Sequence, residues 1–548
     1  MANKTPALEI RKLPLQELEQ LLERARARLD DQDCQLLQSL IQTVQHLWQL
    51  VEQQDMSMGQ LRRLLFGPHT EKTDRVLSSH SADRNASAPP SDSPDEPSGE
   101  KQRRGHGRHG ASDYSGAQKI KVVHPKLRAG NTCPDCAQGK LYGLTQPSSI
   151  LRIVAQPIFH ASLYQLEKLR CNLCGRLFTA PPPPEAGTQK YDPSVGSMLA
   201  LLRYGSGLPF ARIEKLQVGF GVPLPTTTQW ELVESAAQAA EPVFQELQRQ
   251  AAQQQVLYND DTSMTVLSLL QARRGIACNL SEAAPEQRSY QRTGIFTSGI
   301  LAEGQGHPIA LFFTGAQHAG ENLNQLLQQR DAQLPPPIQM CDALCRNEPK
   351  AFRVLLANCV AHARRHFVEV APNFPKECRH VLERLREVYR HDAYCKEQDL
   401  SPQARLAFHQ VNSSPVMDQL HDWMNQQLDQ RQVEPNSGLG KAIRYMLNHW
   451  QALTLFLRQP GAPLDNNICE RALKLAILYR KNSMFFKTQH GAQVGDLFMS
   501  LIHSSRLNGI APFDYLTQLQ RHSRRVKECP QQWLPWTYQK TLQGIDSS

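Results

Sequence analysis

Glu470 is the one acid in the segment L-D-N-N-I-C-E-R-A-L-K-L-A-I-L-Y-R-K-N (464–482) that sits among cations, with Arg471, Lys474, Arg480 and Lys481 around it. Asp465 follows the break Q-P-G-A-P at 459–463, where it is placed to cap a helix. Ile468, Ala472, Leu475 and Ala476 recur at helical spacing and give that helix a buried face. A carboxylate held among cations suits a site that keeps metal ions against a polyanionic backbone. Two upstream acids fit the same site: V-L-Y-N-D-D-T at 256–262 and P-I-Q-M-C-D at 337–342 each read as an apolar strand ending on an acid, Asp260 and Asp342. Three such carboxylates can hold two magnesium or manganese ions about 3.5–4 Å apart, one activating the attacking oxygen and one stabilising the leaving oxygen of an in-line phosphodiester displacement. Any single acid among the 52 in this chain is ordinarily a solvated surface group. Position at the ends of three elements is what distinguishes these.

The elements that must position them begin near residue 255. Strands are expected at 256–260, 264–270, 292–301 and 309–314, then a helix at 321–330, the strand ending on Asp342, a helix at 349–354 and a strand at 356–361. That order matches an RNase H-like α/β core, with its first part over 255–365. More chain separates Asp342 from Glu470 than one crossover needs. The excess reads as helices at 381–396, 403–411, 416–432 and 440–457, an all-α insertion over 366–460, after which the core resumes over 461–520 and a tail covers 521–548. The run A-H-A-R-R-H-F at 361–367 leaves two readings open. His362, Arg364, Arg365 and His366 form the wet face of a helix, or Arg364 or Arg365 touches phosphate or orients a catalytic acid.

The 548 residues exceed one core and imply roughly three to five domains. A net charge of +9 with 19 further histidines favours an acidic partner such as DNA. No apolar run approaches the ~20 residues of a membrane span, and residues 1–22 carry no signal-peptide pattern, so a cytoplasmic protein is expected. Thirteen cysteines without an export signal point to metal ligands and free thiols. Cys133, Cys136, Cys171 and Cys174 form two C-x-x-C pairs with strand-like stretches at 150–155 and 159–164 between them, the pattern of a zinc ribbon over 119–182 holding one structural zinc ion. Cys34, Cys278, Cys341, Cys345, Cys359, Cys378, Cys395, Cys469 and Cys529 show no ligand spacing and read as packed or exposed thiols.

Within residues 1–77, Leu37, Leu40, Val44, Leu47, Val51, Gln54, Met58, Leu61 and Leu65 alternate steps of three and four. This is either a coiled-coil seam making a homo-oligomer or a helix folded back on its neighbour at 15–29. Residues 78–118 are rich in Ser, Pro, Gly, Asp and Arg and read as a disordered linker, whose R-R-G-H-G-R-H-G at 103–110 is either solvated or laid along DNA. Residues 190–254 read as helices. Gly219 and Gly221 mark a turn, and Thr226 to Trp230 open a helix expected to run to about residue 240. Thr227, Thr228 and Gln229 then either reach base edges from a helix-turn-helix or belong to a plain bundle.

The chain resembles a known family. D-D-T at 260–262, C-D at 341–342, A-H-A-R-R-H-F, D-N-N-x-x-E-R at 465–471 and R-K-N at 480–482 resemble the catalytic half of DDE transposases of the insertion sequence 66 family. L-F-G-x-x-x-E-K at 65–72, the C-x-x-C pairs, L-N-G-I-A-P-F-D-Y-L at 507–516 and W-L-P-W at 533–536 extend the likeness over nearly the whole chain. Asp261 stands where the family usually has Glu, and the Gly-Tyr usual after the second acid is absent. The resemblance implies a multidomain α+β transposase that binds terminal inverted repeats and joins a freed 3′ hydroxyl to target DNA, with Asp260, Asp342 and Glu470 as catalytic metal ligands. Arg471, Lys474, Arg480 and Lys481 would neutralise phosphates, and small accessory proteins are common partners in the family. Two alternatives stay open: a DNA-binding regulatory or architectural protein that no longer cuts, and a nuclease without strand transfer.

Overall fold

The computed structural model describes residues 129–132, 134, 138–141, 158–170, 177–271, 294–304 and 306–546. The heptad positions at 37–65, the linker at 78–118 and the four paired cysteines lie outside them. Described residues up to Val195, together with Pro209–Leu232, form one compact unit; Gly196–Leu208 and the chain from Val233 form another.

In the first unit Thr132 forms an antiparallel bridge with Lys140. The strands β1 (Lys168–Arg170) and β2 (Leu177–Thr179) pair antiparallel. Residues 159–164 do not form the expected strand: Leu163 and Tyr164 are exposed, so nothing packs on them to fix a ladder, and pairing begins only at Lys168. After α1 (Pro193–Ala200), α2 (Phe210–Gly219) is joined to α3 (Thr226–Ala252) by a turn in which Gly221 takes the left-handed φ of 72°. Helix α3 runs well past residue 240, and from Val233 on it belongs to the second unit. Val243, Leu247 and Ala251 continue its buried stripe and outweigh the backbone bond that Pro242 cannot make.

The second unit is mixed α+β. Its five-stranded sheet comprises β3 (Val256–Ser263), β4 (Phe296–Glu303), β5 (Ile309–Gly315), β6 (Ile338–Cys341) and β7 (Leu355–Asn358), in the order β5-β4-β3-β6-β7. The β3–β4 and β4–β5 pairs are antiparallel, whereas β3–β6 and β6–β7 are parallel. Helix α4 (Ala319–Leu327) lies between β5 and β6 in the chain. Then come α5 (Val360–Val370), α6 (Pro375–Glu397), α7 (Pro402–Asn412), α8 (Ser414–Asp429), α9 (Gly438–Asn448), α10 (Asn467–Ser483), α11 (Gln489–Leu507) and α12 (Pro512–Arg521). All regular structure between β7 and α10 is helical.

Three expected elements differ. Residues 264–270 make no sheet strand. Val266 bridges Phe486 and the chain then coils into a helical turn, because V-L-S-L-L has no alternation to hold it flat. Residues 349–354 are irregular instead of helical, with a single 3-10 turn before them at Cys345–Asn347. The helix expected over 440–457 breaks at His449, and two short turns follow, Trp450–Leu453 and Leu455–Leu457; the Thr454 hydroxyl donates back to the Trp450 carbonyl.

The outer edge of β5 would present a row of unpaired N–H groups. Helix α11 covers it with side chains four residues apart. Asp496 accepts from Thr314 N–H at 2.6 Å, Ser500 from Phe312 N–H at 2.9 Å and Ser504 from Ala310 N–H at 3.0 Å. Four helical residues rise about 6 Å and two strand residues about 6.8 Å, so the two rows stay nearly in step over three contacts. Among the described residues no helix is long and apolar enough to cross a membrane.

Candidate active site

Strands β3 and β6 are parallel, with Tyr258 opposite Met340. Asp260 stands two residues further along β3, and Asp342 directly follows the last residue of β6, near enough for its charge to act on Asp260. The third acid comes from α10, whose approach is set by a glycine. Gly299 on β4 pairs directly with Asp260, and a Cβ there would sit 3.0 Å from Leu473 Cγ and Cδ2 and 3.5 Å from Cys469 Sγ. Missing side-chain bulk opposite Asp260 therefore lets α10 lie against the sheet. Cys469 Sγ also reaches the Gly299 carbonyl at 3.4 Å.

The D-N-N run locks the start of that helix. Asp465 Oδ1 accepts from Asn467 N–H at 3.1 Å, and Asn466, the residue that actually occupies the cap, donates from Nδ2 to the Asn259 carbonyl at 3.1 Å. Asp465, expected to cap the helix itself, instead closes a local turn one residue ahead of the actual cap. On the other side, buried Gln339 donates to Asn259 Oδ1 and to the Asn347 carbonyl, which fastens β3, β6 and the loop after Asp342 into one piece.

Two residues at the start of α5 complete the cluster. Cys359 is 1 % exposed and caps α5, and His362 lies one turn on. His362 Nδ1 is 2.6 Å from Asp342 Oδ1, and its Nε2 is 3.5 Å from Glu470 Oε1. Asp342 Oδ1, His362 Nδ1 and Glu470 Oε1 are buried, yet none has a partner in hydrogen-bond geometry. Burial first, and then the charge of Asp342, push the Asp260 carboxyl up to about 7. Burial opposes charge on His362, but Asp342 and Cys359 outweigh it and hold the imidazole up at about 10. Asp342 is paired with His362, but the crowded carboxylates and the buried, unpartnered Glu470 Oε1 are a donor set that a divalent cation would relieve, so the residues present fit such an ion.

The remaining expected site residues are placed as follows. Arg471, Lys474 and Lys481 are exposed along α10, whereas Arg480 is half-buried and bonded to Thr262 Oγ1 at 3.2 Å, to Ser263 Oγ at 2.5 Å and to the Ser263 carbonyl. Arg364 is buried and Arg365 half-buried, which puts Arg364 inside the fold and not on the wet face. In the first unit Thr227 is exposed and Thr228 half-buried. Gln229 is fully buried and donates to the carbonyls of Phe210 at 3.2 Å and Leu224 at 2.8 Å. Its amide is engaged in locking the turn, so the expected base contact does not fit this side chain. Cys359, set aside in the sequence as a packed thiol, and His362 are the residues that sequence reasoning undervalued. Their C-x-x-H spacing at a strand-to-helix junction was the available signal.

A mixed α+β fold with a five-stranded mixed sheet and many helices fits a transposase core. The family model described as "Transposase IS66 family" matches residues 189–494, more than half of the chain, and the chain belongs to that family. It is also similar to three proteins of Sinorhizobium fredii (strain NBRC 101917 / NGR234). "Uncharacterized protein y4jD" is 25% identical over 529 residues, covering 92% of this chain and 98% of that one. "Uncharacterized protein y4hP" is 26% identical over 401 residues, 68% of this chain and 67% of its own. "Uncharacterized protein y4qI" is 29% identical over 166 residues, 30% of each chain.

Proposed function

We propose that this chain is a DDE transposase that cleaves DNA at the ends of its own element and joins the freed 3′ hydroxyl to target DNA. The observation that carries the reading is the meeting of Asp260, Asp342 and Glu470, from two neighbouring parallel strands and a distant helix, in a member of a transposase family. The sheet order β5-β4-β3-β6-β7 supports reading the core as RNase H-like, with the helical stretch between β7 and α10 as an insertion in it. Bound by the three carboxylates, a pair of magnesium or manganese ions would supply activation of the attacking oxygen and stabilisation of the leaving one. Within the chain, Asp260 and Asp342 offer oxygens at one level of the sheet, and α10 brings Glu470 to them through its contact at Gly299. The exposed Arg471, Lys474 and Lys481 line the same helix and suit the phosphates on either side of the scissile bond. A water molecule and then a DNA end serve as nucleophiles, so no serine or tyrosine nucleophile is required. DNA, a second copy of the chain through the 37–65 seam, and one structural zinc held by Cys133, Cys136, Cys171 and Cys174 belong to the same reading.

A pre-nicked element end incubated with a supercoiled target distinguishes this function from its rivals. A transposase yields covalently joined product; a nuclease yields only further cleavage; a binding protein yields neither.

A further inference from the structure

We propose that Cys359, His362 and Glu470 form a site for a borderline-soft transition metal, of the zinc or cobalt(II) kind, at the Glu470 end of the carboxylate cluster. One ligand atom from each of the three lies within 4.8 Å of the others. Tetrahedral zinc takes sulfur at about 2.3 Å and nitrogen or oxygen at about 2.0–2.2 Å, so modest side-chain rotation closes the set around an ion. Cys359 is a free thiol, and its Sγ already accepts the Asn466 N–H at 3.2 Å, which fixes the sulfur beside the start of α10. The imidazole is aimed as metal-binding histidines usually are: a carboxylate oxygen of Asp342 faces Nδ1, which turns Nε2 toward Glu470. Three protein ligands with an open fourth position describe a reactive metal centre, not a closed structural one.

A thiol that merely packs needs neither a ring nitrogen nor a carboxylate directed at it. Thiolate and imidazole donors suit zinc and cobalt(II) and are poor ligands for magnesium, which takes hard oxygens. Glu470 would be common to this site and to the cations of the proposed cleavage reaction, and the inference rests on that reading only for its effect on catalysis. An ion held by Cys359 and His362 draws Glu470 away from the hard cations, so zinc should inhibit magnesium-dependent cleavage.

The test is a cobalt(II) titration of the full chain, following the near-ultraviolet thiolate-to-cobalt absorption and counting ions bound. The C-x-x-C cysteines are present in every variant and contribute a constant background. Cys359→Ser should bind one ion fewer per chain and lose the matching part of the absorption. His362→Gln should lose the same ion while keeping every cysteine, and decides the matter should Cys359→Ser fold poorly. Cys469→Ser, altered at the thiol that meets Gly299, should bind as the parent does. Zinc should slow cleavage in the parent and have less effect in Cys359→Ser, each measured against its own rate in magnesium. Identical spectra and stoichiometry for the parent, Cys359→Ser and His362→Gln would overturn the proposal. If those spectra coincide while Asp260→Asn abolishes cleavage, the soft-metal site falls and the transposase reading stands. If a cobalt signal depends on Cys359 while Asp260→Asn cleaves normally, the soft-metal site stands and the transposase reading falls.

Discussion

Asp260 and Asp261 are adjacent on β3 and serve opposite sides of the sheet. Asp260 faces the cluster of Asp342 and His362, whose charges it feels. Asp261 accepts the Ser298 hydroxyl at 2.6 Å on Oδ1, and His318 Nδ1 at 3.0 Å and the Ala319 N–H at 3.1 Å on Oδ2. The alternation of a strand thus gives one acid to the site and the other to fastening the first turn of α4.

Asp261→Asn should accordingly cost stability without removing the chemistry. Losing a charged acceptor at a side chain that is 2 % exposed costs about 1–3 kcal/mol. Urea unfolding should show that loss, while the cleavage rate per folded molecule, in magnesium at a temperature where both proteins are folded, stays within a few-fold of the parent.

Gly299 is the close-approach point between β4 and α10. Gly299→Val should push α10 outward and carry Glu470 away from Asp260, because even a Cβ meets Leu473 at 3.0 Å. Cleavage should fall at least tenfold while DNA-end binding in a gel-shift assay is retained. Gly299→Ala, which needs only a few tenths of an ångström of adjustment, should fall between the two.

The three acids stood out in the sequence because each ends an apolar run or opens an apolar-faced helix, and the fold brings Asp342 close enough to Asp260 for its charge to be felt there. What brings the third acid to them was not legible. Gly299 carries no chemistry of its own, and its role exists only because antiparallel pairing sets it opposite Asp260. Asn259, Gln339 and Asn347 look like ordinary polar residues in the chain and become a buried lock only after folding. Gln229 failed as a base reader for the same reason: its side chain is used by backbone carbonyls that the sequence does not locate. Residues 264–270 misled because an unbroken apolar run does not choose between strand and helix.

The exposed cations of α10 should act through salt-sensitive phosphate contacts. Arg471→Ala, Lys474→Ala and Lys481→Ala should each weaken DNA binding about equally for end and non-end sequences, and each should lower the slope of log affinity against log salt by about 1. Arg480→Ala should instead lower thermal stability, since its guanidinium holds Thr262 and Ser263 at the end of β3. Equal salt slopes for all four proteins and the parent would show that this face does not meet DNA.

Asp496 supplies a pH test away from the carboxylate cluster. Burial raises its carboxyl to about 7, with the Thr314 N–H and hydroxyl pulling the other way. The folded chain therefore keeps a proton between about pH 4 and 7 that the unfolded chain releases, so stability falls as pH rises through that window and levels off above it. The steepest slope is about 1.4 kcal/mol per pH unit. Asp496→Asn removes this ionisation, so the stability of the parent minus that of the variant should decline from pH 4 to 7. A flat difference would mean that Asp496 is already ionised in the fold.

Asp260, Asp342 and Glu470 are expected above all to act together on phosphodiesters. Asp260→Asn, Asp342→Asn and Glu470→Gln keep shape and remove charge, and groups that form one site fail as a unit. The deciding measurement is magnesium- or manganese-dependent cleavage of a duplex carrying the element end, run beside a binding assay on the same DNA. Each single variant should lose cleavage by a factor close to that of the triple variant while binding the end about as well as the parent. Normal cleavage by all three single variants would contradict a shared catalytic site.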